Sequence, residues 1–336
     1  MSDDTITAIR SAGLNGSLSS ASKFGGLRMA HTTASRTRAF TLAELLVTTG
    51  VLVLLVLLAS QLLTSTATIT ALGHKEMGAD AQARQVLDRM ALDFAQMVKR
   101  SDLDFFAKRT AAPNSVGGAM AGNDQIAFYS AVPGYYPATG TQTQSPVSLV
   151  AYRVNSLSTS PSYNKVERMA KGLVWNGVST TNTPVVFMPI KIEDTWPAAV
   201  SSSTGDAAYE LVGSQVFRFE YYYLLNGQGA AFPALFSDTP WDTRVGIEHT
   251  DVSGMRDVAA IVVNIAVIDP KSKVLLSDAQ IATLGASLAD YTGGMVPGQL
   301  RTSWQNTLNA NATLPRPALS GIRLYERFFY LSPPTL

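Results

Sequence analysis

The chain has 336 residues, enough for one large domain or two ordinary ones with a core that needs no covalent staples. Its 26 Lys and Arg against 25 Asp and Glu leave a formal charge of +1, which gives no field favouring nucleic acid, so no nucleic-acid partner is expected. The absence of cysteine excludes disulfides, thiolate metal sites and a cysteine nucleophile, and the three histidines, His31, His74 and His249, lack any metal-ligand spacing, so neither metal nor cofactor is expected.

Residues 1–39 form a polar leader rich in Ser, Gly, Ala and Thr, with Arg10, Lys23, Arg28, Arg36 and Arg38 against only Asp3 and Asp4. From Phe40 to Leu63 the chain is predominantly apolar, and about 20 such residues cross a hydrocarbon core of about 30 Å. The positive flank precedes this segment, so the leader is expected in the cytoplasm and everything after Leu63 outside. An uncleaved signal anchor, or a secretory signal peptide ending near "LLASQ" (Leu57 to Gln61), is the ordinary reading of such a segment. Glu44, a carboxylate at its head, belongs to neither pattern, although snorkelling makes an acid cheaper there than at the middle of a span.

The helical period continues past the apolar run. Ala83, Leu87, Met90, Phe94 and Met97 share one face, while Arg84, Asp88, Arg89, Asp93 and Lys99 populate the rest, which predicts packing of this stretch against a domain. Gly73 and Gly78 mark a flexible joint between the two parts. A helix from Thr41 to about Arg100 would be roughly 90 Å long.

Strand and turn signals follow from Ala111. "DQIAFYS" (Asp124 to Ser130), "PVSLVAYRVN" (Pro146 to Asn155), "NKVERMAKGLVW" (Asn164 to Trp175) and "PVVFMPIKI" (Pro184 to Ile192) are rich in β-branched and aromatic residues between Gly, Pro, Asn and Ser. In "SQVFRFEYYYLLNGQG", Phe217, Phe219, Tyr221, Tyr223 and Leu225 fall on one face and Arg218 and Glu220 on the other, which predicts a half-buried strand rather than an aromatic binding platform. The run from Val258 is apolar on both faces except Asn264, as in a strand covered on both sides, and Asp269-Pro270 ends it. Long connections are expected over Glu193 to Glu210 and Gly227 to Arg256, helices near Ser277 to Ala289 and Gly298 to Leu308, and a last strand in "IRLYERFFYL" before Pro333 and Pro334. The fold class is therefore α+β, a long amino-terminal helix packed on an antiparallel β domain.

No enzyme signature emerges. Asp102 with Asp104, and Asp251 with Asp257, have spacings too common to indicate a calcium site. "TGG" at Thr292 to Gly294 leads into no phosphate-binding helix, and no G-x-S-x-G frames a serine.

The segment "RTRAFTLAELLV" resembles the cleavage and methylation segment of type IV pilins and type II secretion pseudopilins, in which a basic leader and a Gly precede Phe-Thr-Leu-Ile-Glu-Leu-Leu-Val. Arg36 and Arg38 are the leader's basic residues here. Ala39 stands where that Gly precedes the cut, Phe40 matches the first mature residue, Thr41, Leu42, Leu45, Leu46 and Val47 match directly, Ala43 replaces Ile, and Glu44 matches the family glutamate. "RQVLDRMALDFAQMVKRSDLDFF" is similar to the first helix of J-type minor pseudopilins and W-type minor pilins. The closing "IRLYERFFYL" is similar to the prepilin-type C proteins of four-gene cassettes found in Verrucomicrobia.

The resemblance implies a pilin-like subunit with a removed leader (1–39), a transmembrane and assembly helix (40–63), its amphipathic continuation (64–106) and an extracytoplasmic β-rich domain (107–336). It implies cleavage between Ala39 and Phe40 by prepilin peptidase, N-methylation of Phe40, and pairing of Glu44 with a neighbouring subunit's Phe40 amine. The other implied partners are pilin or pseudopilin subunits and the bacterial inner membrane. Initiation at Met29 would shorten the leader to the family's usual length. The alternative is a signal-anchored periplasmic or surface protein that binds through its long loops.

Overall fold

The computed structural model describes residues 41–99, 120–135, 144–172, 209–240 apart from 228, and 255–331 apart from 256. Two units divide the chain, residues 1–61 and 62–336, and helix α1 (Leu42–Ala95) contributes to both. No proline interrupts this helix, and it includes both Gly73 and Gly78, where a break would have been least costly. It stops at Ala95, short of the expected Arg100, because the following residues join a sheet. Val98 N–H donates to Tyr129 O and Ala131 N–H to Gln96 O, both at 2.9 Å, and Met97 bridges Ser130. Met97 is thus buried as expected, but at a sheet edge instead of on the helix face.

The first sheet comprises β1 (Ile126–Ser130), β2 (Gly134–Tyr135), β3 (Gln144–Ser145), β4 (Ser148–Val154), β5 (Val166–Gly172) and β6 (Tyr209–Gly213), in the order β1-β4-β5-β2-β3 with β6 also on β5. Among the described residues only the β2–β5 pair is parallel. The second sheet has β7 (Val216–Leu225), β8 (Leu235–Ser237), β9 (Val258–Ile268) and β10 (Ile322–Tyr330), antiparallel in the order β10-β9-β7-β8. Short helices α2 (Pro270–Lys273) and α5 (Arg316–Leu319) flank α3 (Asp278–Ser287) and α4 (Gln299–Ala310). The α+β class read from the sequence is the observed one. Two strands are unexpected: β6 starts in the last two residues of the connection from Glu193 and runs past it, and β8 lies inside the connection after Gly227, its three residues too short a run to show a period. The strand expected over Pro184 to Ile192 lies outside the described residues.

Ala83, Val86, Leu87, Met90 and Phe94 of α1 bury against both sheets. They share one continuous core with Phe128 of β1, Val150 and Tyr152 of β4, Phe219 and Tyr221 of β7, and Val263 of β9. A second core fills the opposite face of the second sheet, where Ile281, Leu284, Leu300 and Trp304 from α3 and α4 cover Tyr222, Val262 and Ala266. Strand β9 is therefore covered on both sides, as its apolar sequence requires. Strand β7 is covered on both sides too, which corrects the half-buried expectation. Its Arg218 and Glu220 are fully buried, paired at 3.1 Å, with Asp290 2.6 Å from the same guanidinium. An irregularity between Val216 and Arg218 turns Phe217 into the second core, away from Phe219, Tyr221 and Tyr223.

Asp93 corrects the reading of the helix. It sits among polar residues in the sequence, yet it is fully buried. Arg168 of β5 grips its carboxylate with two bonds, Nε to Oδ2 at 2.6 Å and Nη2 to Oδ1 at 2.9 Å. The Tyr152 hydroxyl of β4 also donates to Oδ2, and Ser130 Oγ of β1 donates to Asp93 O at 2.9 Å. Burial, and then the Asp93 charge, push the Tyr152 hydroxyl well above the usual phenol range, so it stays a donor. One aspartate thereby ties α1 to three strands. Replacing it by Ala leaves Arg168 buried without its partner, and the expected cost is about 3–5 kcal/mol. Denaturant unfolding of the detergent-solubilised chain measures this; a loss below about 1 kcal/mol contradicts the clamp.

On the other side of the second sheet, Glu326 of β10 accepts from Gly298 N–H at 3.0 and 3.2 Å, capping α4 where Gly298 itself, with φ of 78°, offers no side chain. Burial raises the Glu326 pKa despite that bond. A carboxyl raised on folding contributes stability that is present below its unfolded pKa and lost as pH rises through its folded one. Unfolding measured across the acid range should therefore show wild type losing ground to Glu326→Gln as pH increases; a pH-independent difference contradicts this.

Candidate assembly segment

The first turn of α1 is built by two side chains. Thr41 Oγ1 accepts from Glu44 N–H at 3.2 Å, and Glu44 Oε2 accepts from Thr41 N–H and from Thr41 Oγ1, each at 3.1 Å. This reciprocal capping box satisfies donors that a helix start otherwise leaves open, and it places a carboxylate against the positive end of the helix dipole. The pattern Thr-x-x-Glu ahead of an apolar run was legible in "TLAE", and it gives Glu44 a local role that the sequence reading did not identify.

Beyond the cap, Leu42 to Thr70 is a helix of 29 residues, long and apolar enough to cross a membrane. Its leucines and valines are exposed, from Leu45 and Leu46 through Leu62 and Leu63. No aqueous surface would sustain that exposure, so lipid or other apolar helices must cover it. Several of its hydroxyls are satisfied within the helix. Thr48 Oγ1 donates to Leu45 O at 3.0 Å and Thr49 Oγ1 to Leu45 O at 2.9 Å, so neither hydroxyl demands water. A Cβ placed on Gly50 would meet nothing within 4 Å, which leaves the backbone there open to close approach.

Arg36, Arg38, Ala39 and Phe40, as well as Met29, lie outside the described residues, so of the expected processing residues the structure places only Glu44. Asp102, Asp104, Asp251, His31 and His249 also lie outside them, as does most of the connection from Glu193 and the stretch 241–254. Among the described residues there is no group of three or more His, Asp and Glu suited to a metal ion. The aromatic residues of β7 are buried on both faces, so they form core and present no platform.

No family model matches the chain, and no curated protein matches it. Among solved structures, a chain of the GspK-GspI-GspJ complex from the type 2 secretion system of enterotoxigenic Escherichia coli is similar over 57% of this chain and 89% of that one, with 12% identity and a TM-score of 0.28. Likeness at that level transfers neither residues nor function.

The capping box has a direct test. Gln can replace Glu in such a box, so Glu44→Gln should keep first-turn amide protection near wild type, whereas Glu44→Ala should lose about 1 kcal/mol of local protection. Equal protection in wild type and Glu44→Ala, by hydrogen exchange in detergent micelles, would show that the box does not hold the helix start.

Proposed function

We propose that the chain is a prepilin-type minor pilin or pseudopilin subunit, processed and N-methylated by prepilin peptidase and built into a pilus-like or type II secretion-like filament as a minor or tip component. The observation that supports this reading is that Thr41 to Val47, the described part of the motif, opens a bare apolar helix of membrane length, and the same helix continues into an α+β domain.

On this reading hydrolysis of the Ala39–Phe40 bond frees the Phe40 amine at the cytoplasmic face, where the basic residues Arg36 and Arg38 hold the leader. The enzyme then transfers a methyl group from a sulfonium methyl donor to that amine, breaking the donor's S–CH3 bond to leave a thioether and releasing one amine proton. The α1 helix keeps the subunit in the inner membrane, with the domain on the extracytoplasmic side, and later exchanges lipid for neighbouring helices. Moving a charged amine and the Glu44 carboxylate separately into that apolar environment is costly, whereas pairing Glu44 with the Phe40 amine of the next subunit offsets the cost and fixes the axial register.

Intact mass of the protein extracted from membranes of cells with active peptidase tests the processing. A species beginning at N-methylated Phe40 is expected, and retention of residues 30–39 would sink the proposal. The Glu44 variants then separate charge from capping. Filament incorporation, read by co-purification with other subunits after crosslinking, should fall at least tenfold for Glu44→Gln and Glu44→Ala alike, the loss of a charge-assisted contact of about 1.5–3 kcal/mol. Incorporation of Glu44→Gln at the wild-type level would show that capping alone is its role.

A further inference from the structure

Several segments of the globular unit end together on the side where α1 enters it. Tyr325 donates to Asp80, and Arg327 pairs with Asp88, so β10 runs along α1 in the same direction and its first residue, Ile322, lies toward that entry. Asp269 N–H donates to Gly321 O at 3.0 Å, and Ile268 pairs with Ile322, which sets α2 at that end. Ser272 Oγ donates to Pro317 O at 3.2 Å, so α5 lies beside it. Strand β4 runs the opposite way. Its Tyr152 meets Asp93, while Val154 pairs with Val166, and Val166 and Val86 both crowd Gly213, within 3.2 and 2.9 Å of a Cβ placed there. The β4–β5 hairpin tip, residues 155–165, therefore projects past Val86 toward the same end. Asn164 Nδ2 joins it to α3 by donating to Asp278 O at 2.7 Å.

This end carries exposed apolar side chains among cations. Val274 is 84% exposed, Leu275 49% and Leu157 40%. Around them stand Lys165, Lys271, Lys273 and Arg316, none of them buried, with Asp278 as the exposed acid. Burial, and then the charge of Lys165, lower the Lys273 pKa, which marks the two ammonium groups as neighbours.

Its distance from a bilayer follows from chain geometry. Ile322 lies three residues before Tyr325, about 10 Å along a strand. The same distance back along α1 from Asp80 is roughly seven residues and arrives near Gly73. The membrane-length segment ends at Thr70, within the same unit.

We propose that this end of the domain docks on the surface of the bilayer that holds α1, with Val274, Leu275 and Leu157 in the headgroup layer and Lys165, Lys271 and Lys273 on anionic headgroups. Exposed apolar side chains ringed by lysines suit an anionic interface, whose field reaches only about one Debye length, about 8 Å. The tether from Thr70 to Ala79 keeps the end within that reach, so weak individual contacts suffice. The proposal requires α1 to span a bilayer; it does not require cleavage after Ala39.

The chain has no cysteine, so Val274→Cys, with Ala230→Cys on the loop after β7 as control, takes a single environment-sensitive label. Full-length protein is reconstituted into vesicles of phosphatidylcholine, alone or with phosphatidylglycerol. Flotation with the vesicles checks the span separately. Expected is shielding of the label at residue 274 from an aqueous quencher in the anionic vesicles, none at residue 230, and a docked-to-free ratio lowered about fivefold for each of Lys165, Lys271 and Lys273 replaced by Gln. A fully quenchable label at residue 274 on floating protein overturns the proposal. Shielding indifferent to lipid charge and to the lysines overturns it as well. Shielding that vanishes as protein is diluted in lipid assigns the surface to a second copy of this chain instead.

Discussion

The globular unit depends on one buried ion pair. Asp93 and Arg168 are 75 residues apart in sequence, and their two bonds at 2.6 and 2.9 Å join the last turn of α1 to the middle of the first sheet. Apolar packing along Ala83, Val86, Leu87, Met90 and Phe94 supplies most of the attraction, but such packing tolerates sliding and rotation. A bidentate guanidinium and carboxylate do not. The pair gains specificity from geometry at a desolvation cost, and Tyr152 lowers that cost by donating to the carboxylate, while Ser130 holds the Asp93 backbone carbonyl.

That fixed register determines where α1 enters the globular unit. The surface contacts from Asp80 to Tyr325 and from Asp88 to Arg327 are exposed pairs worth little by themselves. They nevertheless line α1 up with β10, so the start of β10, α2 and the β4–β5 tip gather at the entry side. A helix held only at its far end would leave that side undefined. Asp93 at the far end and the Asp80 and Asp88 contacts nearer the entry together fix which surface of the domain accompanies the incoming helix.

Much of this was legible from local patterns. The 3.6-residue period named Ala83, Leu87, Met90 and Phe94, and alternation or continuous apolar runs named β1, β4, β5, β7 and β9 within a few residues. Asp93 was misassigned because its partner is a strand residue that no local window contains, so only polarity was visible. Phe217 was placed on the wrong face because an extra residue at a bulge inverts alternation without changing composition. Arg218 and Glu220 looked like a solvent face, and they are covered because α3 and α4, which follow much later in the chain, pack on that side. The candidate site was read almost wholly from sequence, since Glu44 is the residue of that motif whose surroundings the structure adds.

The capping box sharpens what Glu44 does on the proposed reading. A carboxylate that waits unpaired in lipid would favour escape to the interface. Bonds from Thr41 N–H and Thr41 Oγ1 hold it on the first turn before any neighbour arrives, so its charge is partly compensated in the lone subunit. Those bonds are two neutral donors to one oxygen, and a neighbour's ammonium is the stronger partner for the other. The exchange from a lone to an assembled subunit then asks for no change in helix start, only for a second partner at the other oxygen. Capping and pairing are in that sense sequential uses of one side chain, the first within its own helix start and the second toward a neighbouring subunit.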